Sequence, residues 1–477
     1  MHRHSVERNE NRPLHHNMAA IFYQCMFQSK SLFAGGVHPT DGFDKALTAD
    51  RNIIRYIPKT VRVFMKQGLG PACKPVVHVG NHVVEGQLIG EATHILSANV
   101  HASVTGTVTA VNEAYCEIIV DDCELPNTDG AYYKEFVEIP HSKTELLKLL
   151  AEGGIVGMGG AGFPTAMKYA TEKRITHLLI NAAECEPYLT CDEHLILEQG
   201  MTILNGVRGL KKICAAQKAV ICLEDNKAHC KEVLDRLLAG HEEEVQIQLL
   251  PTKYPQGSEK QLIRAVMGVE IPAGKLPADV GAMVSNIHTA KAAADMIFGG
   301  IPSISRVITI TGDVANPGNY LVPIGTDLGE LVALAGDVKS KENKVILGGP
   351  MTGRCLGFQL DAAQMQAEQM AFVTKISGGL IVLEGYAPEV SNCIKCGRCV
   401  KICPAGIKPV MIEKNYLLGN LDTCKALYAT ECIACGCCSY VCPARRALTF
   451  HVVSARDAVR TKIREEAAGN AAQPKTR

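Results

Sequence analysis

The sequence predicts a multidomain chain of mixed α/β and α+β class, and three observations predict it. Residues 68–111 read as short period-two runs broken by Gly and Asn, the pattern of a small all-β unit. From Thr176 onward, strand-length apolar runs alternate with helical patterns, the pattern of a parallel sheet with crossover helices. Half of the 20 cysteines fall between Cys393 and Cys442, which is the clustering of a metal site and not of a disulfide framework. A length of 477 residues leaves room for several domains. The formal net charge is zero, tryptophan is absent and aromatics make up 5%, which argues against a nucleic-acid-binding face. No run approaches the roughly eighteen apolar residues of a spanning helix. The stretch Met18–Phe27 is short, contains Gln24 and lacks an A-x-A site, so no signal peptide is expected. Residues 1–30 read as a polar, disordered leader, with Met26 an alternative start.

The strongest signal is a duplicated motif. Cys393, Cys396, Cys399 and Cys403 precede Pro404, and Cys432, Cys435, Cys438 and Cys442 precede Pro443. Both copies fit C-x2-C-x2-C-x3-C-P, in which three thiolates hold one iron–sulfur cube and the fourth crosses to the other. Cluster A is therefore assigned to Cys393, Cys396, Cys399 and Cys442, and cluster B to Cys432, Cys435, Cys438 and Cys403. Cys437 and Cys424 are left over, as core thiols or as thiols packed behind the ligands, not as ligands. Zinc knuckles also use C-x2-C pairs, but they need neither the duplicated third cysteine nor x3-C-P, so two 4Fe–4S clusters are the better reading.

Taken in order, residues 31–140 are expected to be a β domain. Residues 75–111 look like the barrel-sandwich hybrid of lipoyl and biotinyl carriers, yet no lysine stands at the hairpin tip near Ile95–Ser97. A packing or docking module is expected there, not a swinging arm. Residues 141–300 are expected to be a Rossmann-like α/β domain. It opens with a helix at 142–154 and a Gly-rich loop in which Gly157, Gly159 and Gly162 fit G-x-G-x-x-G. That fingerprint should follow a strand, and here it follows a helix. Loop amides, a helix opening at Pro164 and Lys168 would together cradle an anion, with a plain turn and a surface lysine as the alternative. The strand ending at Ala182 leads into Glu184, Cys185 and Glu186. These acids stand either at a ligand crevice beyond the strand ends or simply at a helix N-terminus. Residues 301–380 show two strands, a helix and a returning strand, a β-grasp-like unit. Residues 381–453 form the α-helical two-cluster domain, and 454–477 read as a charged, solvated tail.

The stretches GMGGAGFPTAMK, NAAECEP, YPQGSEKQLI and SNIHT resemble the flavin-binding subunit of respiratory complex I and its hydrogenase relatives. With the barrel-sandwich domain in front, FAGGVHPTDGFDKALT, and two ferredoxin-type motifs behind, the chain resembles the C subunit of the Rnf-type ion-translocating oxidoreductases. The segment at 301–380 is similar to the soluble-ligand-binding β-grasp domain of that family. The resemblance implies FMN at the Gly-rich loop, held by Gly157, Gly159, Gly160, Gly162 and Lys168, with Asn181, Asn286 and Thr289 against the flavin or its phosphate. It implies NADH stacked on Phe163, with Glu184, Glu186 and Glu259 as its acidic contacts. It also implies an NADH-dependent electron-transfer subunit, peripheral on the cytoplasmic side of the cell membrane. Such a subunit would assemble with membrane partners that move sodium or protons and would reach ferredoxin indirectly. The sequence departs from that pattern at Met158, Ala183 and Ser258. A flavoprotein subunit of a soluble bifurcating hydrogenase or of complex I, and a non-redox assembly scaffold, are the competing readings.

Overall fold

The computed structural model describes residues 33–38, 45–121, 133–336, 338, 343–358, 371–385 and 389–472; the expected leader, including Met26, lies outside them. The front unit is two small antiparallel sheets packed face to face. One holds Thr60–Phe64, Tyr115–Val120, Gly106–Val111 and His82–Val83, the other Lys74–Pro75, Leu88–Glu91 and Val100–His101. In Gly106–Val111 the residues alternate buried and exposed up to Thr109, so Val108 joins Val61, Val63, Ile89 and Ile118 in the core while Thr107 and Thr109 face water.

The segment before this unit does not belong to it. Val37 bridges Tyr254 of the α/β domain, and the Gly36 N–H donates to the Ile402 carbonyl at 2.8 Å. Lys253 Nζ lies 4.5 Å from the centre of the Phe33 ring. Ile54–Arg55 adds a parallel edge strand to Gly318–Pro323. Tyr133, Phe136 and Ile139 likewise pack on the α/β core. The expected 31–140 domain is thus a sandwich from Thr60 to Val120 with flanks that run over its neighbours.

In the α/β domain four parallel strands stand in the order Gln246–Leu250, Lys218–Glu224, His177–Ala182, Ala282–Asn286. Leu178 and Ile180 face one hydrophobic layer and Leu179 the other, which explains why the central strand reads as an unbroken apolar run. Helices Cys191–Cys214 and Ile287–Gly299 close one layer. They approach so tightly that a β-carbon on Gly206 would lie 1.9 Å from the Ala290 carbonyl oxygen. Chain order runs outward from His177–Ala182 and then returns to its other side, so the topological switch point lies between Ala182 and Asn286.

The fourth sheet, of six strands, orders Ile54–Arg55, Gly318–Pro323, Ser305–Gly312, Gly379–Glu384, Asn343–Leu347 and Arg354–Phe358. Gly379–Glu384 lies inside it, parallel to Ser305–Gly312 and antiparallel to Asn343–Leu347. The boundary expected at 380 therefore falls within a strand. The tail expected to be solvated from Ser454 is instead the continuation of helix Leu448–Ala472. Val452, Ala455 and Val459 of this helix are buried against Ile412 and Cys424, a helical spacing that charged neighbours masked.

Lys375 joins the first three domains. Its Nζ donates to the Asn99 carbonyl at 2.6 Å and the Gly154 carbonyl at 2.8 Å, and its N–H donates to Gln67 Oε1 at 3.0 Å. Burial pushes this ammonium down to about 7. The unfolded value is about 10.4, so between the two values the unfolded chain binds the extra proton and stability rises with pH. Below the folded value the penalty for the buried charge is constant and full. Lys375→Met is expected to flatten the rise in thermal midpoint between pH 7 and about 9.5. An unaltered slope would assign the effect to other groups.

Candidate functional sites

Helix Lys143–Glu152 opens on a capping box: Ser142 Oγ accepts the Glu145 N–H at 3.3 Å, and Glu145 accepts the Ser142 N–H at 2.7 Å. It delivers the chain to the Gly-rich loop, which is pinned at its base. Val156 bridges Pro164, the Gly157 N–H donates to the Phe163 carbonyl at 2.9 Å, and the Met158 N–H donates to Thr289 Oγ1 at 3.0 Å. Gly159, Gly160 and Ala161 stay exposed, while the Met158 side chain turns into the core. Helix Thr165–Tyr169 has only five residues, so the cradle rests on loop amides and Lys168 more than on a helix dipole.

The loop sits on the switch point. A β-carbon on Gly159 would come within 2.8 Å of the Asn286 Cβ, whereas the space beside Gly160 is open to 4 Å. Asn286 is fixed underneath: its Oδ1 accepts the His288 N–H at 2.9 Å and its Nδ2 donates to Asp192 Oδ2 at 3.2 Å. Thr289 is buried and holds the loop from below through Met158 and Val156. Asn181 ties the strand end to the YPQGSEK loop, donating to the Gly257 carbonyl at 2.7 Å and accepting the Ala183 N–H at 3.1 Å. Lys168 Nζ and Glu259 Oε1 form a half-exposed ion pair at 3.0 Å. A backbone cradle with open space at its tip and a lysine at its edge fits an FMN phosphate and ribityl chain.

The acids of NAAECEP do not line this cradle with free carboxylates. Glu184 is buried, and its Oε1 accepts the Asp192 N–H at 3.0 Å at the start of helix Cys191–Cys214, the helix-terminus role. Burial raises its carboxyl pKa, against the pull of Lys45, whose Nζ donates to the Glu184 carbonyl and, at 2.7 Å, to that of Leu189. Glu186 accepts hydrogen bonds from the Thr352 hydroxyl and, at 3.1 Å, from the Met351 N–H, and burial raises its pKa too. Only Glu259 of the three acids stands beside Lys168. Lys45 and Tyr254, which organise this corner, lie in the FAGGVHPTDGFDKALT and YPQGSEKQLI stretches, but neither was singled out as a site residue. Their partners are more than sixty residues away in sequence, so the stretches around them did not show what they hold.

The cysteine loops repeat one geometry. Lys395 and Ala434 have φ of 58° and the following glycines, Gly397 and Gly436, have φ of 72° and 79°. Left-handed backbone at two non-glycine residues in matching places signals loops shaped for a ligand. In each copy an N–H points at the first sulfur, Lys395 to Cys393 and Ala434 to Cys432, both at 3.4 Å. Cys403 lines the same cavity as Cys432, Cys435 and Cys438. Cys399 lies close enough to Cys442 and Cys393 for their charges to interact, and Arg446 feels both of those sulfurs. Burial pushes the Cys438 thiol up to about 12, so deprotonation there awaits a metal. This all-thiol donor set, grouped across the repeats, fits two iron–sulfur clusters. Cys437 and Cys424 are fully buried, Cys424 in the helical core, and Cys437 beside Val37 and Tyr254 while also lining the cavity of Cys403, Cys432, Cys435 and Cys438.

The loops that carry Cys403 and Cys435 are fastened to the α/β domain. The Tyr254 hydroxyl donates to the Cys435 carbonyl at 2.7 Å, Lys260 pairs with Glu431 at 2.8 Å, and Gln261 donates to the Pro404 carbonyl at 2.9 Å. A β-carbon on Gly436 would lie 2.5 Å from the Met351 carbonyl oxygen, so the third domain also presses on this loop.

Four family models match in this order: an RnfC barrel sandwich hybrid domain at 31–120, the Nuo51 FMN-binding domain at 150–295, an SLBB domain at 307–354 and a 4Fe-4S dicluster domain at 377–448. The chain is 39% identical to the C subunit of the proton-translocating ferredoxin:NAD(+) oxidoreductase complex of Clostridium ljungdahlii, over 82% of this chain and 85% of that one. It is 36% identical to the Na(+)-translocating counterpart of Acetobacterium woodii, over 92% and 98%. It is 33% identical to the C subunit of the ion-translocating oxidoreductase complex of Rhodobacter capsulatus, over 85% and 78%. A chain of an NAD+-reducing [NiFe]-hydrogenase superposes on 61% of this chain and 55% of its own length, with a TM-score of 0.47 and 20% identity. The expected domain series is thereby borne out, and the chain belongs to the RnfC-type family of C subunits of ion-translocating oxidoreductase complexes, as an electron-transfer subunit with an FMN-binding domain and two 4Fe–4S clusters.

Proposed function

We propose that this chain takes electrons from NADH, or returns them to NAD+, at the Gly-rich loop and exchanges them singly with partner proteins, as the cytoplasmic-face subunit of an NAD:ferredoxin oxidoreductase coupled to sodium or proton movement. The observation that carries this reading is the position of the loop. It lies on the switch point of the parallel sheet, and the first turn of helix Glu259–Met267 touches both its edge and the loops expected to hold cluster B. Bound FMN supplies the conversion between a two-electron hydride and single electrons that a 4Fe–4S cube accepts. Gly157, Gly159, Gly160 and Gly162 leave room and amides for the phosphate and ribityl chain, and Lys168 adds a point charge. Asn181, Asn286 and Thr289 hold the shape of the cradle, each through backbone or side-chain bonds given above. Phe163 and Glu259 contact the nicotinamide nucleotide, while Glu184 and Glu186 act behind the site as positioning groups. The assignment of Cys393, Cys396, Cys399 and Cys442 to one cluster and Cys432, Cys435, Cys438 and Cys403 to the other remains part of this proposal. Among the described residues no helix is long and apolar enough to cross a membrane, so attachment through partner subunits accords with the family.

Adding NADH anaerobically to the flavin-loaded chain is expected to bleach the flavin absorbance; no bleaching would favour a scaffold. Lys168→Ala should weaken FMN retention about tenfold, the scale of one charge-assisted phosphate bond, with iron content unchanged. Flavin content equal to wild type would remove Lys168 from the site.

A further inference from the structure

Behind the flavin cradle, four buried side chains from three segments converge. Cys191 and Asp192 open helix Cys191–Cys214, His288 stands in the first turn of helix Ile287–Gly299, and Glu184 comes from the turn after strand His177–Ala182. The Cys191 Sγ, Asp192 Oδ1 and His288 Nδ1 atoms all lie within 4.8 Å of one another. Cys191 Sγ is 3.9 Å from Asp192 Oδ1 and 3.4 Å from Glu184 Oε1, and Asp192 Oδ1 is 2.8 Å from His288 Nδ1. These spacings bracket the donor–donor edge of about 3.5 Å that a tetrahedral zinc ion sets with bonds of about 2.0–2.3 Å.

Two features set this group apart from an ordinary hydrogen-bonded core. The first is charge. Cys191, Asp192 and Glu184 carry three negative charges when ionised, against Arg306 and Lys45 nearby, while Lys227 is taken by Glu193. Burial raises both the Cys191 thiol and the Glu184 carboxyl, and the charge on Asp192 pushes each the same way. The cluster therefore retains protons that a cation can displace. The second feature is polar atoms left over. Glu184 Oε2 and His288 Nε2 are buried with no hydrogen-bond partner among the described residues. His288 also lines a polar cavity with Gln199, Ser303 and Arg306, a setting for the outer hydrogen bond that a metal-bound imidazole makes. Asp192 Oδ2 already accepts from Asn286 Nδ2 at 3.2 Å, which orients the carboxylate with Oδ1 toward Cys191 and His288.

We propose that Cys191, Asp192, His288 and Glu184 form a closed structural site for one zinc-type divalent cation. Thiolate and imidazole donors select such an ion over magnesium or calcium. On binding, a metal–sulfur bond replaces the Cys191 S–H bond and the proton leaves to solvent. The imidazole coordinates through Nδ1 and carries its proton on Nε2, and no electron moves. With four protein donors the ion has no open position for a substrate. Its task is to lock the starts of two helices and the strand-end turn beneath Asn286, against which Gly159 packs. The site shares no cysteine with the cluster motifs and does not rest on the redox reading above.

The test uses the full chain with its clusters in place, stripped anaerobically of loose metal on a chelating resin and titrated with zinc sulfate. The wild type should retain one zinc per chain beyond its iron. X-ray absorption at the zinc edge should show one sulfur at about 2.3 Å and three nitrogen or oxygen donors at about 2.0–2.2 Å. Cys191→Ser should remove the sulfur shell, and His288→Ala should weaken zinc affinity by more than about tenfold, both with unchanged iron. A four-sulfur shell that persists in Cys191→Ser would place the zinc in the cluster loops and overturn the proposal. So would a wild type that retains no zinc, or a zinc shell and affinity that neither substitution alters. If a variant fails to fold, the wild-type spectrum decides alone, because the cluster loops offer only sulfur donors.

Discussion

Cys399→Ala is expected to remove one of the two clusters, leaving about half the wild-type iron and sulfide. The more discriminating change is Cys403→Ala. Cys403 belongs to the first motif by sequence, yet it lines the cavity of Cys432, Cys435 and Cys438. Its loss should therefore abolish the paramagnetic signal of the enclosed cluster B and spare that of cluster A, which Cys442→Ala should do in reverse. Signals lost in the opposite pairing would show that each motif binds its own cube. Loss of both signals in either variant would mean that the two loops fold as one unit, a result checked by the thermal midpoint of the iron-free chains.

Gly159→Ala is expected to cost roughly ten- to hundredfold in FMN affinity, the equivalent of an overpacking penalty of about 1–3 kcal/mol. The added carbon would stand 2.8 Å from the Asn286 Cβ. Asn286 cannot swing aside without giving up its bonds to the His288 N–H and to Asp192. Burial opposes the charge on Asp192, but the His288 hydrogen bond and nearby Arg306 hold its carboxyl below the usual range, so it remains a firm acceptor. Fluorescence titration of the flavin-free protein measures the change, with iron content as the control. Unaltered affinity would place the flavin elsewhere.

Sequence pattern revealed most of what is local. The alternation of strand and helix expected from Thr176 onward is found, for example as strand Lys218–Glu224 followed by helix Ala228–Leu237, and the cysteine spacing marked both cluster loops. It also marked the Gly-rich loop, because glycines that leave amides bare are a local feature. Contacts between distant segments were not legible. Nothing near Lys45 announces that its ammonium will hold the Glu184–Leu189 turn, 139 residues away or more. Glu184 and Glu186 were visible as acids at a strand end, but whether they face a ligand or the protein depends on helix Cys191–Cys214 and on Met351, which only the folded chain brings there. The closing helix was hidden because its buried Val452, Ala455 and Val459 sit among exposed charges and the chain end reads as polar.

Three consecutive residues of helix Glu259–Met267 answer to different masters: Glu259 pairs with Lys168, Lys260 with Glu431, and Gln261 with the Pro404 carbonyl. A phosphate that captured Lys168 would release Glu259 and alter the seat of the same rigid turn that grips the cysteine loops. Occupancy at one end and affinity at the other are then thermodynamically reciprocal. Maturation of the two prosthetic centres would thus be cooperative: a chain lacking one binds the other with a different affinity, by the same factor in either order of assembly.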